Sequence, residues 1–339
     1  MEKIGVVQYG LGPIGVSTVK LLLHKRGVAV VGAVDIDPAK AGKSLADVVG
    51  DGRLSGIEVV DRIEKVHVDS RVKVTIHATG SYVKDVLPQL REIASHGFHI
   101  ISSCEELAYP WREHLEITRQ IDRAARDYGV SILGTGVNPG FLMDTLAITL
   151  TGVCQRISKI ECRRIQDAAL RRLPFQRKIG AGLTLGEFQD KVNAGVVRHV
   201  GFRESIWMIA DSLGWNLDKI DERVEPIIAD RTLRSRFITV EKGQVAGIDQ
   251  TAVGEQEGNE KIRLNLQAYL GCETPRDEVY IEGTPNLEMQ IKGGVNGDIA
   301  TAAMLVNTIT KVVGAEPGLH TMRDLPIPSA LLGDVRELL

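Results

Sequence analysis

The first 140 residues alternate between short apolar runs and longer segments in which apolar residues recur every three or four positions. The runs IGVVQY, VAVVGAV and VKVTIH have the length of buried strands, and the segments between them have the periodicity of amphipathic helices. Strands that are apolar on both faces and alternate with helices are typical of a parallel sheet with helices on both sides. The pattern therefore predicts an α/β domain with a doubly wound parallel sheet over residues 1–140.

Beyond residue 140, apolar residues alternate with polar ones, as in IRLNLQAYL and LEMQIKGG. A period of two indicates strands with one packed face and one face open to solvent or ligand. We expect a second, α+β domain over residues 141–299, built on an open mixed or antiparallel sheet. The segment GDIATAAMLVNTITKVVGAEPG returns to the periodicity of a helix, and we expect this C-terminal part, residues 300–339, to pack back on the first domain.

The turn after the first strand reads GLGPIG and has the GxGxxG spacing. Between a strand and a helix, such glycines allow a tight turn, close approach of a pyrophosphate and close packing of helix on strand, while the helix N-terminus stabilises the phosphate charge. The motif predicts a Rossmann dinucleotide-binding domain, and a glycine-rich turn without a ligand is the alternative. The predicted cofactor contacts are Gly10, Leu11, Gly12, Pro13, Ile14 and Gly15.

Two carboxylates follow the second strand. Asp35 stands where an acid can accept hydrogen bonds from the ribose hydroxyls of NAD, and Asp37 adds like charge against the 2′-phosphate of NADP. Lys40 and Lys43 would offset part of that repulsion, so use of NADP stays possible. Alternatively, Asp35 only begins the turn DIDPAK, because Asp favours turns on its own account.

Two further loops follow strands of the same sheet, at the edge where this fold binds ligands. HATGS contributes Ala78, Thr79 and Gly80, which offer small side chains and backbone groups beside a cofactor. GTGVNPGF contributes Asn138, whose amide donates and accepts and could contact a nicotinamide carboxamide or a substrate. Plain turn chemistry is the alternative for both loops.

Two adjacent acids, Glu105 and Glu106, stand just after the strand HIISS, and Ser103 before them is a further predicted cofactor contact. Both acids could instead belong to the first turn of the next helix, although Pro110 delays that helix. If one is catalytic, an amine suits it better than an alcohol. An amine arrives as an ammonium with a pKa of about 10, so a carboxylate can attract it and remove its proton.

Charge and composition limit the partners. With 41 Lys and Arg residues against 44 Asp and Glu, the net charge of -3 gives no positive field for nucleic acid or an anionic membrane. The four cysteines form neither a CxxC pair nor a metal-ligand spacing with histidine, which favours reduced thiols and no metal site. The chain starts without a signal region, and no apolar run reaches membrane-spanning length. We expect a cytoplasmic protein that acts on small molecules.

A family resemblance covers nearly the whole chain. It is carried by GLGPIG, SSCEELAYPW, GTGVNPGFLMD, RRIQDAALRRLPFQRKIGAGLT, RHVGFRES and GGVNGDIATAAMLVN. With these segments the chain resembles the 2,4-diaminopentanoate dehydrogenases and the related native amine dehydrogenases, which are distant relatives of dihydrodipicolinate reductase. The paired histidine motif of those reductases is missing, which argues against their activity.

The resemblance implies NAD(P)-dependent oxidative deamination of 2,4-diaminopentanoate at C4, giving 2-amino-4-oxopentanoate. In reverse, this reaction is the reductive amination of a ketone with ammonia. The resemblance also implies a homodimer and a catalytic glutamate, which by motif position is Glu105 or Glu106. We prefer Glu105, which is nearer the end of the strand, but the sequence does not decide between them.

The second domain is then expected to bind the substrate and form the dimer. Its charged run from residue 163 to residue 178 contains guanidinium groups that could pair with a substrate carboxylate, although most of the run is expected to be a solvated face. His199 could line the pocket or be a core histidine, and Thr301 opens the last motif. The predicted substrate contacts are Asn138, Arg163, Asp167, Arg171, His199 and Thr301.

Other functions stay open at this point. A general amine dehydrogenase would act on simple ketones and amines, with no carboxylate required. A dehydrogenase of an alcohol or an unsaturated ring would share the fold, with both glutamates structural. A non-catalytic NAD-sensing protein would use its second domain as an interface, since fold does not fix function.

Overall fold

The computed structural model describes residues 2–338. The chain forms two compact units, each with its own buried apolar core. Unit 1 comprises Met1–Phe141 and Gly297–Leu339, and unit 2 comprises Leu142–Asn296.

Strands and helices alternate through the first part of unit 1. In chain order they are β1 (Ile4–Tyr9), α1 (Pro13–Leu22), β2 (Val28–Val34), α2 (Leu45–Val49), β3 (Val59–Val60), β4 (Lys73–His77), α3 (Val83–Ser95), β5 (His99–Ser102), α4 (Leu115–Asp127) and β6 (Ser131–Gly134). Short 3₁₀ turns cover Gly52–Leu54, Ile63–Lys65 and Glu106–Ala108.

Unit 2 contains four helices and eight strands in the part of the chain that the structure describes. In chain order they are α5 (Thr145–Thr151), β7 (Arg156–Asp167), α6 (Leu173–Lys178), α7 (Leu185–Asn193), α8 (Phe202–Leu213), β8 (Lys219–Ile228), β9 (Leu233–Arg234), β10 (Thr239–Val240), β11 (Val245–Gln256), β12 (Asn259–Tyr269), β13 (Arg276–Thr284) and β14 (Leu287–Lys292). A 3₁₀ turn covers Ala168–Leu170.

The chain then returns to unit 1 with α9 (Gly297–Asn307), α10 (Ile309–Val313), β15 (Gly318–His320) and a 3₁₀ turn at Val335–Leu338. Helix α9 packs against α1, and β15 pairs with β6. The sequence predicted one continuous helix here, but the structure has two. At the break, the Thr308 hydroxyl donates to the carbonyl of Met304 at 2.9 Å, a local bond of the kind that often bends helices.

The sheet of unit 1 has seven strands in the order β3-β2-β1-β4-β5-β6-β15, and every neighbouring pair is parallel. All six residues of β1 are buried, as the apolar run predicted for a strand covered on both faces. Helix α3 buries Val83, Val86, Leu90 and Ile93, a stripe with helical spacing. The doubly wound Rossmann sheet that the sequence predicted is confirmed.

The large sheet of unit 2 has six strands in the order β14-β13-β7-β12-β11-β8. Strands β7 and β12 are parallel and the other pairs are antiparallel, so the sheet is mixed. In β12, buried residues alternate with partly exposed ones, which matches the predicted period of two. The predicted second α+β domain with an open mixed or antiparallel sheet is confirmed in its mixed form.

No helix between residues 2 and 338 is both long enough and apolar enough to cross a bilayer.

Candidate active site

The candidate site lies at the carboxyl edge of the unit 1 sheet. Because all its strands are parallel, the loops that follow them leave the sheet at the same edge. The strand order then places the loops after β6, β5, β4, β1 and β2 side by side. Asn138, Glu105, Thr79, the glycine loop and Asp35 therefore occupy consecutive positions along one edge.

The three motif glycines have different surroundings. Gly10 has a φ of +90°, and a Cβ there would lie 2.4 Å from the carbonyl oxygen of Ala78. A Cβ on Gly15 would lie 1.9 Å from the carbonyl oxygen of Gly10. A Cβ on Gly12 would meet no atom within 4 Å, and Gly12 is the N-cap of α1, with Pro13 in its first turn. The chain's own packing thus requires two of the glycines, and the third borders open space at a helix N-terminus, as a pyrophosphate needs.

A buried glutamine supports this loop. Gln8 lies in β1, is fully buried, and donates from its side-chain amide to the carbonyls of Gly10 at 3.0 Å and Ile76 at 3.1 Å. It therefore ties the glycine loop to the end of β4. Gln8 was not among the predicted site residues, although a polar side chain inside an otherwise apolar strand is a signal that could have indicated it.

Asp35 touches the glycine loop directly. Its carboxylate accepts the backbone N–H of Leu11 at 2.7 Å and that of Asp37 at 2.9 Å, and it pairs with the Lys40 ammonium at 3.0 Å. Burial by itself would raise the pKa of Asp35, but the two N–H groups and Lys40 together outweigh it and hold that pKa below its usual value. The acid is thus ionised and fixed beside the turn that the motif predicts for a dinucleotide.

Asp37 has a turn contact of its own. Its carboxylate accepts the N–H of Ala39 at 2.9 Å and lies 3.4 Å from the Lys40 ammonium. The ammonium therefore stands between two carboxylates, and contact with both raises its pKa against the effect of its burial. The predicted cofactor role of Asp37 stays a prediction.

The loop after β4 is tied to α3. The Thr79 hydroxyl lies 2.9 Å from His77 Nε2 and donates to Oε1 of Gln89 at 2.7 Å. Ala78 donates its N–H to the carbonyl of Tyr9, and a Cβ on Gly80 would only touch Val86. The side chain of Thr79, a predicted cofactor contact, thus has protein partners.

His77 lies at the end of β4, opposite Ser102 at the end of β5. Its Nδ1 is 2.9 Å from the Ser102 hydroxyl, and its Nε2 is 2.7 Å from Oε1 of Gln89. Complete burial lowers the pKa of His77 to about 4, against a smaller opposing effect of Gln89. The imidazole is therefore neutral at pH 7. Neither His77 nor Ser102 was among the predicted site residues.

Glu106 caps a helix. Its Oε2 accepts the N–H of Val83, the first residue of α3, at 2.8 Å, and lies 3.4 Å from Nε2 of His114. Its own N–H donates to the carbonyl of Ser81 at 3.1 Å. The N-cap residue Tyr82 makes no side-chain cap, so Glu106 satisfies an N–H group that helix geometry leaves without a partner in the helix.

Glu105 directly precedes the 3₁₀ turn Glu106–Ala108 and is half-buried. Its carbonyl accepts the N–H of Ala108 at 3.1 Å. A Cβ on Gly134, at the end of β6, would lie 2.2 Å from the carbonyl oxygen of Leu107, so glycine is what lets this turn lie against β6. Of the two adjacent glutamates, Glu106 therefore has a structural role as the cap of α3.

The loop after β6 carries the last predicted contact of this edge. Thr135 donates its N–H to the carbonyl of Ser102 at 2.9 Å, which joins this loop to β5. Gly140 has a φ of +121°, and a Cβ there would lie 2.4 Å from the backbone nitrogen of Gly136. Asn138 is half-buried between them.

Three predicted substrate contacts of unit 2 have partners within that unit. Arg163 donates to Glu161 at 2.6 Å and lies over the ring of Tyr280. Asp167 accepts the N–H of Ala169 at 2.9 Å. Arg171 is buried rather than solvated; it donates to Gln166 at 2.8 Å and its guanidinium lies 4.0 Å from the ring centroid of Phe175.

The predicted substrate contacts His199 and Thr301 lie in different units. His199 belongs to unit 2, where its N–H donates to the side chain of Gln250 at 2.7 Å, its carbonyl accepts from that side chain at 2.8 Å, and its ring meets the edge of Phe202. Thr301 belongs to unit 1, half-buried in α9. Within residues 2–338 no group of three or more His, Cys, Asp or Glu residues could hold a metal ion.

Comparison with known proteins identifies the family. The chain is 38% identical to a 2,4-diaminopentanoate dehydrogenase from Acetoanaerobium sticklandii, over 100% of this chain and 98% of the relative. The family model for the 2,4-diaminopentanoate dehydrogenase C-terminal domain matches residues 141–339. The chain belongs to the 2,4-diaminopentanoate dehydrogenase family.

Two amine dehydrogenases are also similar to this chain over nearly its whole length, at lower sequence identity. An amine dehydrogenase from Streptomyces virginiae is 24% identical over 97% of this chain and 98% of the relative. The structure of an amine dehydrogenase from Mycobacterium smegmatis is 28% identical and superposes with a TM-score of 0.84, covering 96% of this chain and 97% of that one. The predicted family and the predicted enzyme class, an oxidoreductase acting on a CH–NH₂ group, are confirmed.

Proposed function

We propose that this dehydrogenase oxidises 2,4-diaminopentanoate at C4 with NAD(P)⁺ and water, giving 2-amino-4-oxopentanoate, ammonium, reduced cofactor and a proton, and that Glu105 is its acid/base. The observation that carries the proposal is the capping of α3 by Glu106 at the carboxyl edge of the unit 1 sheet. Glu106 accepts the first N–H of α3 and lies near His114, which gives it a structural role, and Glu105 is the acid nearer the end of β5. The full-length relative that bears this activity in its name supports the choice of substrate.

The residues of unit 1 fit a dinucleotide. Open space beside Gly12 at the start of α1 suits a pyrophosphate, and Asp35 beside the same turn suits ribose hydroxyls. The glycine loop from Gly10 to Gly15, Asp35 and the loop residues predicted above would hold it. A bound nicotinamide would supply the acceptor for the hydrogen that leaves C4.

Glu105 would act on the substrate in two steps. Its carboxylate takes a proton from the C4 ammonium, whose pKa of about 10 resembles that of lysine, and frees the nitrogen lone pair. C4 then loses its hydrogen with the bonding electron pair as the lone pair forms the C=N bond. Glu105 then passes its proton to solvent, which makes it a base again. In the second step it removes a proton from the water that adds to this iminium carbon and returns that proton to the nitrogen. Ammonia leaves as the new hydroxyl gives up its proton to the departing ammonia and the ketone forms.

NAD is the proposed preferred cofactor, with NADP also accepted. Asp35 and Asp37 disfavour a 2′-phosphate, but the Lys40 ammonium lies between their carboxylates and offsets part of that charge. Removal of Asp35 would take away the shorter of the two carboxylate contacts of Lys40 and make its ammonium more available to an anion.

The carboxylate of the diamino acid is what distinguishes it from a simple amine. The arginines proposed to pair with it are Arg163 and Arg171, with Asp167, His199, Thr301 and Asn138 as further substrate contacts. This part of the proposal rests on the sequence. The family resemblance likewise supports a homodimer, and the absence of a CxxC or metal-ligand spacing among the cysteines supports a cytoplasmic location.

A panel of amines tests the proposal. The protein is incubated with NAD or NADP and 2,4-diaminopentanoate, pentan-2-amine or pentan-2-ol, and the absorbance of the reduced cofactor is followed. We expect kcat/KM for the diamino acid to exceed that for pentan-2-amine by at least about 100-fold, because a site that pairs the substrate carboxylate with an arginine loses that interaction when the substrate lacks one.

Each alternative has its own result. Comparable values for the two amines would indicate a general amine dehydrogenase, the function that the names of the Streptomyces and Mycobacterium relatives favour. Turnover of the alcohol alone would overturn the amine mechanism. Nucleotide binding without turnover of any compound would indicate a non-catalytic protein.

A further inference from the structure

The segment that carries Glu105 is fixed through its backbone on both sides. Ser103 donates its N–H to the carbonyl of His77 at 2.9 Å, and Cys104 donates its N–H to the Ser102 hydroxyl at 3.1 Å. On the other side, the N–H of Glu106 donates to the carbonyl of Ser81. The position of Glu105 therefore depends on these neighbouring bonds.

The bond to Cys104 depends on a side chain and not on strand pairing. The Ser102 oxygen accepts the Cys104 N–H, so the hydroxyl must direct its own proton elsewhere, and His77 Nδ1 lies 2.9 Å away. The tautomer of His77 with its proton on Nε2 lets Nδ1 accept the Ser102 proton. Gln89 Oε1, which is 2.7 Å from Nε2 and also accepts from Thr79, is the partner that such a proton needs.

Burial keeps the His77 imidazole in its neutral form. His77 and Ser102 are both fully buried, and burial lowers the pKa of the imidazole to about 4. Near neutral pH, Nδ1 is therefore an acceptor, and the Ser102 hydroxyl stays turned toward it. The chain of bonds from Gln89 through His77 and Ser102 to Cys104 links α3 to the residue before Glu105.

We propose that His77 and Ser102 are positioning residues for Glu105: together they orient the Cys104 N–H and so set where the catalytic carboxylate lies. The inference rests on the proposed role of Glu105. Neither residue acts on the substrate. Their effect is on geometry, where a displacement of about 1 Å can cost about 100-fold in rate.

Matched variants separate positioning from stability. Ser102→Ala removes the acceptor of the Cys104 N–H, and His77→Leu removes the acceptor of the Ser102 proton. His77→Asn keeps an oxygen near the place of Nδ1 and serves as the conservative variant. Ser131→Ala is the control, because Ser131 is also fully buried in the same sheet, but at the amino end of β6, where it donates to the carbonyls of Ala315 and Glu316.

We expect Ser102→Ala and His77→Leu each to lower kcat for 2,4-diaminopentanoate by at least about 10-fold, with KM and the Kd for NADH within about 3-fold of wild type. The double variant should be no worse than either single variant, because both break one chain of bonds. His77→Asn and Ser131→Ala should stay within about 3-fold of wild type. If Ser102→Ala keeps the kcat of Ser131→Ala, the inference is wrong.

Amide hydrogen exchange of the cofactor-free protein gives a second readout that does not depend on turnover. Exchange of the segment 103–106 should be at least about 10-fold faster in Ser102→Ala than in wild type and in Ser131→Ala. Equal exchange in all three proteins would overturn the inference even if activity changed. If the wild-type protein oxidises no amine, the proposed function fails, and the exchange measurement still decides whether the two residues hold the segment.

Discussion

The polar groups at the carboxyl edge of unit 1 and those on the open face of the unit 2 sheet are held in different ways. At the edge, Asp35 and Glu106 accept backbone N–H groups, and Gln8 donates to backbone carbonyls. On the unit 2 face, side chains pair with each other, as Arg163 does with Glu161 and Arg263 with Glu260. A side chain held by the main chain has one position, whereas a paired surface side chain can find another partner, so these anchored residues give the acid proposed to act at this edge, Glu105, fixed surroundings.

The buried face of β7 provides the sharpest contrast with the open face. Arg164, next to Arg163 on this strand, is 1% exposed; it pairs with Asp277 at 3.0 Å and donates to the carbonyl of Val295 at 2.9 Å. Asp277 in turn accepts the N–H of Val295 at 2.7 Å. Although it belongs to unit 2, Arg164 is thus held to the main chain as the edge residues of unit 1 are.

The largest expected effect comes from these neighbouring arginines. Arg164→Gln should lower the free energy of unfolding by about 3–5 kcal/mol, because it leaves the buried Asp277 carboxylate without its cation. Arg163→Gln should lower it by less than about 1 kcal/mol, since Arg163 is 41% exposed. Urea unfolding of both variants measures the difference. Equal losses in the free energy of unfolding would mean that the buried, main-chain-bound arginine of β7 is no more important for stability than the one on the open face.

The second prediction concerns the pH dependence of unit 1. The pKa of His77 is about 4 in the folded protein against 6.5 as the ordinary value. The unfolded chain binds more protons between these values, so the free energy of unfolding should decrease as the pH falls through this window. From pH 7 to pH 5 the contribution of His77 is about 2 kcal/mol, at roughly 1.4 kcal/mol for each pH unit below 6.5.

Comparison of wild type with His77→Asn isolates this contribution. Burial also lowers the pKa of His99, but that residue is present in both proteins. The loss of stability from pH 7 to pH 5, measured by urea unfolding, should therefore be about 2 kcal/mol smaller in the variant. The same loss in both proteins would show that His77 does not titrate as its burial requires.

The smallest expected effect tests the edge at Asp35. Asp35→Ser removes the charge that opposes a 2′-phosphate and releases Lys40, so kcat/KM for NADP relative to NAD should rise by about 10-fold. Asp37→Ser is the matched control. Its carboxylate caps Ala39 in a turn, a contact that serine can replace, and its ratio should change less. If kcat/KM for NADP relative to NAD is unchanged in Asp35→Ser, Asp35 serves only to hold the turn.

The parts of the molecule that were predicted correctly have strong local signals. The glycine turn and the apolar strands lie within short stretches of sequence, and their regular alternation with helices predicts the parallel sheet. The boundaries between the units have weaker signals in the neighbouring sequence. In the structure they lie between residues 141 and 142 and between residues 296 and 297. The sequence suggested boundaries after residues 140 and 299.

The missed parts depend on contacts between distant residues. Glu106 caps a helix that begins 23 residues earlier in the chain, and His77 meets Ser102 across 25 residues. Neither contact leaves a pattern in the neighbouring sequence, so the sequence could not decide between Glu105 and Glu106. The buried histidine and serine look like ordinary strand residues until the pairing of β4 with β5 is known.

The difference between the two glutamates is the central claim, and kcat of Glu105→Gln and Glu106→Gln tests it most directly. With 2,4-diaminopentanoate and NAD, Glu105→Gln should lose at least about 100-fold in kcat while its Kd for NADH stays unchanged, as expected for loss of an acid/base group. Glu106→Gln should stay within about 10-fold of wild type, because its amide oxygen can still accept the N–H of Val83. An inactive Glu106→Gln beside an active Glu105→Gln, or full activity in both, would contradict the account.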